Sequence, residues 1–79
     1  MNNIELYKNA FRSVFSVDDE KLDETFSKDS VDNWDSLRQL CLVTSIEEAF
    51  GIMFNPEDII AFNSYQEGIT ILRKYNIEF

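Results

Sequence analysis

The sequence contains no histidine and only one cysteine among its 79 residues. Without histidine, the chain cannot form the Ser–His or Cys–His pairs that activate most serine and cysteine nucleophiles. The single cysteine, Cys41, cannot form a disulfide within the chain, which favours a reducing compartment. Because Cys41 also lacks a neighbouring base, we predict a small apolar filler there rather than a nucleophile. We expect this protein not to be an enzyme.

Basic residues and long apolar segments are also scarce. Seven Lys and Arg residues against fifteen Asp and Glu give a net charge of −8. This charge disfavours nucleic acid and anionic lipid as partners and favours proteins with basic surfaces. No apolar segment approaches the roughly 20 residues of a membrane helix, and the N-terminal segment lacks the pattern of a signal peptide. We expect a soluble, cytoplasmic monomer without membrane insertion.

The acidic residues do not match a known metal-binding motif. The best candidate is a calcium loop from Asp29 to Leu40, with Val31, Asn33 and Asp35 at alternate positions. Its sixth position is tryptophan where such loops need glycine, and its twelfth is leucine where they need glutamate. We therefore predict no metal site.

Apolar residues are abundant enough for a folded core. They make up 44% of the chain and include seven Phe, three Tyr and one Trp. A chain of this length forms one small domain, here residues 1–79, with little room for an enclosed active site. We expect a single folded domain that binds or carries rather than catalyses.

The first third of the chain contains a helix and then a long acidic connection. Asn2 or Asn3 caps a segment whose apolar residues recur at helical spacing: Ile4, Tyr7, Phe11, Val14 and Phe15. The connection runs from Ser16 to Trp34, and its apolar residues follow no regular period: Val17, Leu22, Phe26, Val31 and Trp34. We predict that these residues anchor an ordered connection on the core, because structureless connections of this length are uncommon in compact domains.

Three more helices follow the connection. The second begins at Asp35 or Ser36 and ends near Gly51, a residue that readily adopts the left-handed conformation of a helix end. The third begins at Pro56 and should be short, because few apolar residues are available for burial: Ile59, Ile60 and Phe62. The fourth follows the capping box Ser64–Glu67. The sequence predicts an all-α fold, a small four-helix bundle with a long loop between helices 1 and 2 and a short third helix.

The second helix is apolar on two faces. At about 100° per residue, its core side is predicted to contain Leu42, Val43, Ile46, Ala49 and Phe50. The opposite side contains Leu37, Leu40, Cys41, Thr44, Glu47 and Glu48. A domain this small cannot bury both faces, so the second face is predicted to be an apolar docking surface with an acidic end. The alternative is that the long connection folds over Leu37 and Leu40.

Ser36 is placed at the N-terminus of this helix, within the tripeptide Asp35-Ser36-Leu37. Free backbone N–H groups and the positive end of the helix dipole favour an anionic group at this position. A phosphate joined to the serine hydroxyl would therefore be stabilised. Serine near a helix start is also common for purely structural reasons.

The segment Trp34-Asp35-Ser36-Leu37, followed by Ile46-Glu47-Glu48-Ala49-Phe50-Gly51-Ile52, resembles the acyl carrier protein family. The resemblance extends over essentially the whole chain. It implies that a magnesium-dependent phosphopantetheinyl transferase attaches 4′-phosphopantetheine from coenzyme A to Ser36. It also implies that the arm's thiol carries an acyl or aminoacyl group as a thioester between loading and transferring enzymes with basic docking surfaces. In the family such partners recognise the face that here comprises Asp35, Leu37, Leu40, Cys41, Thr44, Glu47 and Glu48.

Two positions differ from the family pattern. Carriers of fatty acid synthesis usually have acids where this chain has Arg38 and Cys41. Together with Trp34, these differences favour a dedicated pathway, such as polyketide, peptide or surface-polysaccharide modification. The alternative hypothesis is a carrier-shaped helical interaction module without a cofactor, in which Ser36 only starts the helix.

Overall fold

The computed structural model describes residues 2–79, which fold into four α-helices. The helices are α1 (Asn3–Phe15), α2 (Ser36–Phe50), α3 (Pro56–Ala61) and α4 (Tyr65–Lys74). A single turn of 3₁₀ helix lies in the connection between α1 and α2, and residues 2–79 contain no strand beyond one isolated bridge. The predicted fold class, an all-α bundle with a long first connection and a short third helix, is confirmed.

The helix ends form where the sequence places their capping residues. The side chains of Asn2, Asp35 and Ser64 each accept a hydrogen bond from a backbone N–H in the first turn of the following helix. Gly51 ends α2 in the left-handed conformation, with φ of 65°. Such caps satisfy backbone groups that have no partner within a helix.

Phe11 of α1 lies at the centre of an aromatic core. Its ring centroid is 5.7 Å from that of Phe26, 5.9 Å from Trp34, 6.2 Å from Phe62 and 5.3 Å from Tyr65. These rings come from the connection, the segment between α3 and α4, and α4 itself. The inner face of α2 completes the core with Leu42, Val43 and Ile46, all buried.

The long connection is ordered, as predicted. Leu22, Phe26 and Trp34 are buried, and Val17 and Val31 are partly buried against the core. Backbone hydrogen bonds hold it to the start of α4, with the carbonyl of Phe26 accepting from the N–H of Tyr65 at 2.9 Å. The connection therefore packs against α1 and α4.

Two predicted core residues are exposed. Ala49 lies at the edge of the buried arc of α2, near the end of that helix, and its short side chain remains in solvent. Ile60 is 77% exposed because Asp58 and Phe62, four residues apart and on the same side, point inward. The prediction that Ile60 is buried was wrong because an aspartate takes the inward position on α3.

Asp58 is 3% exposed and forms the main polar link between α3 and α4. Its Oδ1 accepts a hydrogen bond from Lys74 Nζ and its Oδ2 accepts from Tyr75 Oη, both at 2.6 Å. Tyr75 Oη in turn accepts from the backbone N–H of Asn55 at 2.9 Å, just before α3. A buried carboxylate needs such partners, and a six-residue helix needs such tertiary support.

Gly68 of α4 allows α1 and α4 to pack closely. A Cβ atom at this position would lie 2.1 Å from Tyr7 Oη and 2.5 Å from Phe62 Cζ. Tyr7 Oη also donates a hydrogen bond to the carbonyl of Tyr65 at 2.6 Å, which fixes the ring in place. Glycine thus lowers the helical propensity of α4 but permits the contact between the helices.

Within residues 2–79, no helix combines the length and the apolar character needed to cross a bilayer. The longest helix, α2, has 15 residues. A helix that spans the hydrocarbon core needs about 20 mostly apolar residues.

We expect Gly68→Ala to lower the free energy of unfolding by about 1–3 kcal/mol, because the added methyl overpacks the core. Helix propensity alone would give a gain of roughly 1 kcal/mol, so the sign of the change decides between the two effects. Thr70→Ala, on the exposed side of the same helix, is the control and should change stability by no more than about 0.5 kcal/mol. Denaturant unfolding measures both, and stabilisation by Gly68→Ala would contradict the close packing.

We expect the contribution of Asp58 to stability to disappear in acid. The Lys74 ammonium and the Tyr75 hydroxyl hold the pKa of Asp58 below its ordinary value. The stabilisation is therefore present above the unfolded-state pKa of about 3.9 and is lost as the pH falls through the lower folded-state value. The melting-temperature gap between wild type and Asp58→Asn should be large near neutral pH and narrow below about pH 4. Glu57→Gln, at an exposed acid beside it, should show little gap, and a pH-independent gap for Asp58→Asn would refute the linkage.

Candidate functional site

Ser36 is the first residue of α2 and is exposed. The residue before it, Asp35, caps the helix: its Oδ1 accepts a hydrogen bond from the N–H of Arg38 at 2.9 Å. The Ser36 hydroxyl is therefore not the cap of this helix. Ser36 thus places a hydroxyl group in solvent at a capped helix N-terminus, where a phosphate would be stabilised.

Arg38 lowers the negative charge around Ser36. Its Nη1 lies 3.4 Å from Asp35 Oδ2, and both side chains are partly exposed. Surface ion pairs of this kind contribute little to stability. The guanidinium does, however, offset the carboxylate next to the position where a phosphate ester would be formed.

Trp34 and Gln39 fix the start of α2 from inside. Trp34 is 3% exposed and its ring packs against Phe15 at 5.1 Å between centroids. Its indole N–H donates to Oε1 of Gln39, and Gln39 Nε2 donates to the carbonyls of Ile59 and Phe62 at 2.9 and 2.8 Å. This hydrogen-bonded group joins the start of α2 to the end of α3. No pattern in the sequence indicated this hydrogen-bonded group, because hydrogen bonds between a side-chain amide and distant segments leave no periodic spacing.

The outward face of α2 is uncovered. Leu37 is 67% exposed and Leu40 is 59% exposed, and Cys41, Thr44 and Glu48 are also exposed. The alternative in which the long connection covers Leu37 and Leu40 is therefore contradicted. Solvent-exposed leucines one turn apart on a helix are typical of a docking surface.

Glu47 differs from the other residues predicted on this face. It is half-buried, and its Oε2 accepts a hydrogen bond from the backbone N–H of Phe54 at 2.9 Å. This bond holds the segment between α2 and α3 against the helix. Glu48 is the exposed acid at this end of α2, and Glu47 has an internal structural partner.

Large apolar side chains are also exposed outside α2. Met53, between α2 and α3, is 80% exposed, and Ile60 of α3 is 77% exposed. The hydrogen bond from Gln39 to the carbonyl of Ile59 joins the segments that carry Leu40 and Ile60. A helical projection of α3 with Phe62 on the buried side would have predicted that Ile60 is exposed. Met53 lies outside any helix and had no such signal.

A shallow groove of about 380 Å³ runs beside α2 on the side of α1. Val14 of α1 lines it together with Leu37, Arg38 and Cys41 of α2. The free thiol of Cys41 is exposed, so the prediction of a small apolar filler at this position was wrong, because Cys41 lies on the outward face of α2. Leu37 therefore borders both this groove and the outward face of α2.

We expect Leu40→Ala and Leu42→Ala to differ greatly in their effect on the free energy of unfolding, although the two positions are only two residues apart. Leu42 is fully buried, so its truncation should lower the free energy of unfolding by about 2–5 kcal/mol. Leu40→Ala should change it by no more than about 0.5 kcal/mol. Denaturant unfolding of both variants tests this, and a large loss for Leu40→Ala would mean that the outward face is covered.

Among residues 2–79, no three His, Cys, Asp or Glu side chains are grouped so that they could hold a metal ion. Comparisons with protein-family models, curated proteins and solved structures found no match. The functional hypothesis therefore depends on the residues around Ser36 themselves.

Proposed function

We propose that this protein is an acyl carrier protein with 4′-phosphopantetheine attached to Ser36. The observation that carries the proposal is an exposed serine at the first position of α2, beside an uncovered apolar face on the same helix. The thiol of the arm would carry an acyl or aminoacyl group as a thioester. The protein's own part would be to hold the arm and to present it to partner enzymes.

The residues around Ser36 fit this group. Attachment needs an accessible hydroxyl, and the exposed Ser36 is free of the capping role that Asp35 fills. The Ser36 oxygen would form a new bond to the pyrophosphate phosphorus of coenzyme A that bears pantetheine, the bond from this phosphorus to the bridging oxygen would break, and adenosine 3′,5′-bisphosphate would leave. The hydroxyl proton would pass to the phosphopantetheinyl transferase. The resulting phosphodiester would lie at the N-terminus of α2, near the Arg38 guanidinium.

The outward face of α2 supports a protein partner with a basic rim. Exposed Leu37 and Leu40 supply apolar contact area, and Glu48 supplies negative charge at the far end. Charge complementarity of this kind mainly speeds and orients encounter. The net charge of −8 strengthens attraction to basic partners and disfavours nucleic acid. We propose that these partners are the transferase and the enzymes that load and unload the arm.

The pathway and the setting are part of the same proposal. Arg38 and Cys41 make the start of α2 less acidic than in carriers of fatty acid synthesis, which favours a dedicated biosynthetic pathway. A monomer acting in the cytoplasm agrees with loading from coenzyme A and with the single unpaired Cys41.

We expect the apo protein, incubated with coenzyme A, magnesium and a broad-specificity phosphopantetheinyl transferase, to gain the mass of one arm. Intact-mass spectrometry measures the gain, and peptide mapping should place it on Ser36. Ser36→Ala should remain folded because Asp35 still caps α2, and it should gain nothing. Ser45→Ala, at another serine of the same helix, should be modified like wild type.

Two results would reject the carrier proposal. The first is no mass gain with several transferases of different specificity. The second is an unchanged gain in Ser36→Ala. The first result together with capture of a basic protein by the outward face would favour the interaction module without a cofactor.

A further inference from the structure

The side-chain amide of Gln39 joins three separate segments of the chain. Its Oε1 accepts from the indole N–H of Trp34, and its Nε2 donates to the carbonyls of Ile59 and Phe62 at 2.9 and 2.8 Å. Both amide hydrogens and one oxygen lone pair are used. Rotation of the amide by 180° would place its hydrogens against the indole N–H and its oxygen against two carbonyls, so one orientation is strongly preferred.

The side-chain hydrogen bond between Trp34 and Gln39 joins the two ends of a short chain segment that contains Ser36. Trp34 lies two residues before Ser36 and Gln39 three residues after it. The backbone N–H of Gln39 also donates to the carbonyl of Asp35 at 2.9 Å. Residues 34–39 therefore form a closed segment, and Ser36 lies within it on the exposed side.

Both ends of this closed segment are attached to rigid parts of the fold. The Trp34 ring is buried, with its centroid 5.1 Å from Phe15 and 5.9 Å from Phe26. The carbonyls that Gln39 contacts lie at the end of α3, where a helix leaves its last carbonyl groups short of intrahelical partners; that of Ile59 also accepts from the backbone N–H of Phe62 at 3.3 Å. Gln39 therefore donates hydrogen bonds to two carbonyls at the end of α3, and these bonds hold its own side chain in place.

We propose that Gln39 is a positioning residue for Ser36, which holds the serine hydroxyl in the geometry that attachment of the arm requires. This inference rests on the proposed carrier function. The Gln39 side chain is bonded to Trp34, Ile59 and Phe62 and lies apart from the outward face of α2, to which we propose that the transferase binds. Its loss should therefore impair the reaction at Ser36 more than the docking of the enzyme. A misplacement of about 1 Å at a reacting group can slow a reaction by roughly 100-fold.

Gln39→Met tests the proposal, because it keeps the length of the side chain and removes all its hydrogen bonds. Steady-state transfer from coenzyme A to the apo protein should show kcat lowered about tenfold, with KM for the carrier changed by less than about twofold. Trp34→Phe keeps a buried ring and removes only the N–H donor, so it should lower kcat less. The double variant should be no slower than Gln39→Met alone, because both changes break the same linkage.

A second measurement does not involve the arm. Hydrogen exchange of the backbone amides of Arg38 and Gln39, which donate to Asp35, should be faster in Gln39→Met and Trp34→Phe than in wild type. Tyr75→Phe is the matched control, because it removes the hydroxyl that bonds Asp58 and Asn55 at the start of α3, away from Ser36. It should lower the melting temperature and leave both kcat and the exchange of the Arg38 and Gln39 amides unchanged.

Several outcomes would overturn the positioning role. They are an unchanged kcat or unchanged exchange in Gln39→Met, a rise in KM alone, or an equal loss of kcat in Tyr75→Phe at equal loss of melting temperature. If wild type itself accepts no arm, the carrier function fails, and the exchange data still report whether Gln39 orders the start of α2. The two failures are thus distinguishable.

Discussion

Phe11 packs against aromatic rings from the long connection, from the segment before α4 and from α4 itself. The other elements depend on this contact, because Phe11 is fully buried and its ring is shared by all three segments. The connection has no regular structure beyond one 3₁₀ turn and one isolated bridge at Ser27, and it remains ordered because Phe26 and Trp34 are inserted into the core. Burial of large aromatic side chains supplies the free energy that repeated backbone hydrogen bonds would supply in a helix.

The same packing determines where Ser36 lies. Trp34 is both the last buried residue of the connection and the hydrogen-bond donor to Gln39. The aromatic core therefore extends, through one indole ring and one amide, to the exposed start of α2. Among residues 2–79, every fully buried side-chain nitrogen or oxygen has a hydrogen-bond partner, as the carboxylate of Asp58 has in Lys74 and Tyr75.

An attachment site on this scaffold needs no cleft, because the chemistry would be carried out by partner enzymes. What the scaffold must supply is an accessible hydroxyl in a defined position and a surface that partners can bind. Exposed Ser36 meets the first need, and exposed Leu37 and Leu40 meet the second. A flexible arm then raises the effective concentration of its cargo near any docked enzyme.

Much of the architecture follows from local patterns in the sequence. The caps at Asn2, Asp35 and Ser64 and the end at Gly51 form as predicted, because each depends on residues within one turn of helix. The two-faced character of α2 also follows from spacing alone. Burial on α3 was misjudged, because hydrophobicity predicts Ile60 inside and cannot foresee that Lys74 and Tyr75 would satisfy a buried Asp58.

By itself, the sequence determined the four helices, their approximate ends and the position of Ser36 at the start of α2. Only the tertiary structure decided which face of α2 remains uncovered, that Glu47 bonds the backbone of Phe54, and that Gln39 links Trp34 to α3. The physical reason is how far apart in the sequence the interacting residues are. Caps and helical faces arise from interactions between residues three or four positions apart, whereas these other features depend on side chains that meet only after distant segments have packed together.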